Sequence, residues 1–150
     1  MSLRKQFKTD ESAEVEGFEL KLDEAPNEDG SIPVFILSRM GNSNKGYTKA
    51  LEVATRPYRR QIELGTMNND KAEEIFKEVF VNNVLKGWRN VSAADVFNDD
   101  SAKGFAEFSK SNALALLNQP GMRDLYTRLQ EEAKEAANFR AVSLEEEAKN

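Results

Sequence analysis

The sequence predicts an α+β fold, mainly α: an N-terminal β-hairpin followed by four or five helices packed as one domain. Three observations carry this expectation. Residues 17–23 (GFELKLD) alternate Phe18, Leu20 and Leu22 with Glu19, Lys21 and Asp23, the period of two of a half-buried strand. From Tyr47 onward the apolar residues recur at helical spacing instead. The chain has 150 residues, 39% apolar and 31% charged, which suits one soluble core.

The elements follow in order. Residues 1–16 are polar, with only Leu3, Phe7 and Val15 as scattered large apolar groups, and read as a flexible arm. The domain proper then spans 17–150, with the hairpin over 17–40 and helices over 47–150. Between the strands, Ala25–Ser31 gathers Pro26, Asn27, Asp29 and Gly30, residues that favour turns. The second strand is Ile32–Arg39, with Pro33 near its start because proline cannot donate to a ladder. Gly41–Gly46 (GNSNKG) breaks the pattern.

A helix from Tyr47 carries Ala50, Leu51 and Ala54, until Pro57 forces a kink or starts a second helix that Gly65 stops. Asn69 or Asp70 caps the next helix, whose stripe of Ala72, Ile75, Phe76, Val79, Phe80 and Val84 runs to Gly87. Trp88 follows at the helix exit, where a large ring either seals the core or contacts a partner. Asn90–Gly104 reads as a polar connection. Its Asn98, Asp99, Asp100 and Ser101 lack the spacing of a calcium loop and read as a solvated turn. Ser109 caps a short helix with Ala113, Leu114, Leu116 and Leu117. Pro120 opens a last helix expected to run from Gly121 beyond Arg140, with Leu144–Asn150 as an acidic tail.

Charge is segregated along the chain. Residues 10–29 hold nine carboxylates and one lysine, a net of −8, whereas residues 39–60 hold six bases and Glu52, a net of +5. The two blocks either complement each other within the molecule or are solvated separately. Within the basic block, Arg56, Arg59 and Arg60 place three guanidiniums in five residues, suited to planar pairing with carboxylates. Pairing with the acidic arm is the first expectation, and pairing with a partner the second. With Trp88, these three arginines form the candidate partner-binding set.

The missing residue types exclude much chemistry. With no cysteine and no histidine, thiolate nucleophiles, Cys-ligated zinc, Ser-His-Asp triads and HExxH sites are absent. Neither a GxxxxGK[ST] phosphate loop nor a GxGxxG fingerprint occurs. We therefore expect no enzyme, no catalytic residue, no cofactor and no bound metal. A net charge of −5 and a pI near 5.0 argue against nucleic acid as a partner. The longest aliphatic run, Ile32–Leu37, is interrupted by Pro33 and is far shorter than the ~20 residues of a membrane span.

A series of short segments resembles the phage tail assembly chaperones of long-tailed phages and prophages. It comprises Arg56–Ile62 (RPYRRQI) with Gly65-Thr66, Leu85-Lys86-Gly87-Trp88 with Val91, and Phe108-Ser109 leading through Asn112-Ala113 to Leu116-Leu117. It closes with Asn138-Phe139-Arg140, Glu145-Glu146 and Lys149-Asn150, so the likeness covers roughly residues 47–150. The loop after the tryptophan departs from the family pattern by lacking its usual proline. The resemblance implies a non-enzymatic protein that binds the tape measure protein, keeps it soluble and helps recruit the major tail tube protein. It also implies action in the cytoplasm of the bacterial host, absence from the mature virion, and leaves homo-oligomerisation open. The alternative expectation is a structural tail or head-tail joining subunit that stays in the particle.

Overall fold

The computed structural model describes residues 2–140. Its elements are α1 (Leu3–Phe7), α2 (Glu11–Glu16), β1 (Phe18–Lys21), β2 (Val34–Leu37), α3 (Lys45–Thr55), α4 (Arg59–Leu64) and α5 (Asn69–Asn83). They continue with β3 (Leu85–Arg89), α6 (Ala93–Phe97), α7 (Lys110–Leu117) and α8 (Arg123–Lys134), with single 3-10 turns at Arg56–Tyr58, Pro120–Met122 and Ala136–Phe139. The α+β, mainly α expectation holds.

The hairpin forms as its alternation requires. β1 and β2 pair antiparallel from Phe18↔Leu37 to Lys21↔Val34. The sheet has a third strand that the helical reading of Leu85–Trp88 missed. β3 pairs antiparallel with β2, setting Trp88 opposite Phe35, with an irregularity at Ile36/Leu37. Asn27 and Asn90 fasten the hairpin loop to the end of this strand, through bonds from Asn27 Nδ2 to the Asn90 carbonyl at 2.8 Å and from Asn90 Nδ2 to the Ile32 carbonyl at 3.0 Å.

The helices pack on this sheet around one cluster. Leu20, Phe35, Leu37, Phe80, Val84, Leu85, Trp88, Leu116, Leu117 and Leu129 all belong to it. Edge-to-face rings lock the middle: Phe80 lies 5.3 Å from Tyr126, and Trp88 lies 5.2 Å from Phe108. Asn68 caps α5, accepting from the amides of Asp70 and Lys71, one residue before the expected cap. Ser109 caps α7 as expected.

Two expectations are corrected at the ends of the described chain. The segment read as a flexible arm forms α1 and α2, and α2 lies against the body: Glu14 is 3% exposed, and its carbonyl accepts from the Arg39 amide at 2.8 Å. Polar contacts hold it there, which apolar periodicity does not register. The last helix, expected to pass Arg140, stops at Lys134, because Glu135 is extended and its carboxylate caps the turn Ala136–Phe139. That turn drives Phe139 into the interior, 5.0 Å from Phe18 in an edge-to-face pair. The acidic tail from Leu144 lies outside the described residues. Among the described residues, no helix is long and apolar enough to cross a membrane.

Candidate functional site

The exposed face that concentrates charge and apolar surface is built from α3, the turn after it, and α4. Asn44 starts α3 by accepting from the Tyr47 amide, and Asn44 is itself anchored by a bond from its Nδ2 to the Arg39 carbonyl at 3.0 Å. Tyr47, Ala50, Leu51 and Ala54 then fall on one side and are half-buried toward α5. Pro57 has no N–H to continue the ladder, so the chain tightens into the 3-10 turn Arg56–Tyr58 before α4. Gly65, at φ +68°, ends α4 in the left-handed conformation that glycine adopts without strain. The proline therefore makes both a kink and a second helix.

No residue of α3 or α4 is fully buried. Every residue of α4 is exposed, including Ile62 and Leu64, and Val53 stands 52% exposed on α3. Between α3 and α5 runs a groove of about 680 Å³ whose lining includes Lys49, Ala50, Val53, Tyr58, Lys71 and Ile75. Large apolar side chains beside unpaired cations are what a partner's amphipathic segment would cover. Ile62 and Leu64 stand just before the helix stop at Gly65, and nothing in their spacing alone marks them as exposed.

The predicted site residues separate. Arg56 is exposed and bonds Glu52 of α3, four residues back, at 3.2 Å. Arg59 and Arg60 are exposed, and neither enters an ion pair among the described residues. Trp88 does not join them. It is 8% exposed in β3, its indole N–H donates to the Ala106 carbonyl at 2.9 Å, and its ring meets Phe35 and Phe108. A strand sends alternate side chains inward, and register with Phe35 puts Trp88 on the core face.

The acidic block finds other partners than the arginine cluster expected for it. Glu14 faces Arg39 at 3.7 Å, Glu19 pairs with Arg89, and Glu24 pairs with Arg128. The Arg89 hydrogen bond holds the Glu19 carboxyl below the usual carboxylate value. Of the basic block only Arg39 answers the acidic one, so Arg59 and Arg60 remain available.

Residues 42–150 match the sequence model of a family described as YdaY prophage protein. The chain belongs to this family. Nothing among curated proteins or solved structures matches it. Membership makes this a prophage protein, and the span matched by the YdaY family begins two residues before the α3 cap, so it contains the whole exposed face. β2 lies outside that span although β3 within it pairs with β2, so the upstream hairpin completes the sheet.

Proposed function

We propose that this prophage protein is a non-enzymatic tail assembly chaperone that binds the tape measure protein in the host cytoplasm and is left out of the mature virion. The observation that carries the reading is the α3–α4 segment, where Arg59, Arg60, Val53, Ile62 and Leu64 stand exposed on two successive helices joined by the Pro57 turn. A long helical protein awaiting assembly exposes apolar stripes, and such a face covers one reversibly by helix-in-groove contact. The segments that resemble the tail assembly chaperones begin in this same stretch, at Arg56–Ile62, and the prophage family of the chain is compatible with such a role.

Arg59 and Arg60 supply electrostatic steering and orientation, and Val53, Ile62 and Leu64 supply apolar area. Trp88, buried in β3, packs in the core and is no part of this face. Co-expression with the tape measure protein tests the reading: its soluble fraction rises and the two proteins co-elute. Mass spectrometry of purified particles separates the chaperone from a structural subunit, because stoichiometric presence in the particle would replace the chaperone role by a joining one.

A further inference from the structure

Helix α1 is formed but covered by nothing. Ser2 caps it by accepting from the Lys5 amide, yet none of its residues is buried, and among the described residues no hydrogen bond or ion pair ties it to the rest of the chain. Leu3 and Phe7 lie one turn apart on one face and are 78% and 63% exposed. Arg4, Lys5 and Lys8 flank them in the chain, all exposed and free of ion pairs among the described residues. The next carboxylates, Asp10 and Glu11, belong to α2, which Asp10 caps. The arm therefore presents a basic helix with an uncovered apolar face.

A cavity of the complementary kind opens between the hairpin, α7 and the start of α8. It measures about 240 Å³, and its lining includes Leu22, Pro33, Phe35, Leu116 and Met122. That is less than the ~300–1,000 Å³ of a pocket for a drug-sized ligand, and suits an inserted side chain. Every lining side chain is apolar except that of Asp95, which is exposed. Asp23 stands between the lining residues Leu22 and Ala25 in the chain, and Asp124 between Met122 and Leu125; both are exposed. Asp23, Asp95 and Asp124 enter no ion pair among the described residues, whereas the bases beside them in the chain, Arg123 and Arg128, are held by Glu73 and Glu24. Lys21 belongs to the opposite face of β1 from the buried Leu20. Three free bases beside an uncovered apolar pair thus match three free acids beside an uncovered apolar cavity. We propose that a second copy of this chain seats its α1 here, with Phe7 in the cavity and Arg4, Lys5 and Lys8 against Asp23, Asp95 and Asp124. The contact uses no residue of α3 or α4, so it is independent of the face assigned to the tape measure protein.

Sedimentation velocity of the protein alone across a dilution series is the test, so its failure and the failure of the chaperone reading are separate results. The wild-type chain self-associates as its concentration rises, and Phe7→Asp keeps it monomeric. Reversing the arm with Arg4→Glu, Lys5→Glu and Lys8→Glu, or reversing the cavity edge with Asp23→Lys, Asp95→Lys and Asp124→Lys, weakens association by about tenfold, the scale set by three exposed ion pairs. Mixing the two reversed variants restores it, because each arm then meets a cavity of opposite sign on the other copy. The chain contains no cysteine, so a second measurement leaves every charge in place. Leu3→Cys mixed with Ala25→Cys under mild oxidation gives the mixed disulfide in excess of its statistical share, read by mass. Circular dichroism checks the reversed variants, and if either loses its helicity the disulfide distribution decides. A wild-type chain that stays monomeric, association indifferent to both reversals, no recovery on mixing two folded variants, or a statistical distribution of disulfides would overturn the proposal.

Discussion

Replacing Trp88 by alanine separates a core role from a binding role most sharply. The ring is 8% exposed, meets Phe35 at 5.9 Å and Phe108 at 5.2 Å edge-to-face, and donates its N–H to Ala106 at 2.9 Å. Truncating a buried tryptophan costs ~3–5 kcal/mol, a total that includes the transfer of the ring and the cavity it leaves. Domains of this kind are stable by ~5–15 kcal/mol, so Trp88→Ala removes a large fraction of the whole. Trp88→Phe keeps most ring contact but strands the Ala106 carbonyl, for ~1–2 kcal/mol. Urea unfolding followed by far-UV circular dichroism is the assay, since the substitution removes the protein's single tryptophan. With a urea slope of ~2 kcal/mol/M, the midpoint falls by about 2 M for Trp88→Ala and by about 0.5–1 M for Trp88→Phe. An unchanged midpoint with lost partner binding would refute the placement of Trp88 in the core and return it to the surface set.

Two further predictions concern the arm and pH. Glu14 is buried, accepts from the Thr9 and Ser43 hydroxyls and faces Arg39, so Glu14→Ala costs ~1–3 kcal/mol locally. Hydrogen exchange of α2 amides accelerates while β2 amides keep their protection; unchanged α2 exchange would contradict the docked arm. Burial, with the Glu73 charge second, pushes the Tyr126 hydroxyl up from 10.0 to about 12. A raised folded value means the unfolded chain ionises first, so stability is present below pH ~10 and falls as pH rises toward 12. Tyr126→Phe flattens that alkaline limb in pH-dependent urea titrations. The acid limb has the opposite origin. Arg89 depresses Glu19, so its contribution exists above the ordinary carboxylate value of 4.5 and is lost as pH falls through the folded one, and Glu19→Gln makes that limb shallower.

The elements legible in the sequence were those whose signal is local. GFELKLD alternates because one face of β1 packs on the core, and Ser109 and Gly65 mark helix ends by their own chemistry. β3 was illegible because Val81, Val84, Leu85 and Trp88 continue the three-and-four spacing of α5, and only distant β2 makes Leu85–Arg89 a strand. Likewise Ala133, Ala136 and Phe139 sit three apart and imitate a longer α8, while the break at Glu135 comes from docking Phe139 under Phe18. The arginine cluster was visible as a run of residues. Its availability was not, since that depended on the acidic segment pairing instead with Arg39, Arg89 and Arg128.

The central claim is that the α3–α4 face binds the tape measure protein. The direct measurement is co-expression of that protein with the wild-type chain and with Arg59→Glu/Arg60→Glu, recording soluble yield and co-elution. Both arginines are exposed, so the double variant keeps its helicity and its urea stability to within ~0.5 kcal/mol. The account predicts a soluble, co-eluting complex with the wild type and its loss with the variant. A tape measure protein that stays insoluble beside the folded wild-type chain, or that is rescued equally by both, would contradict it.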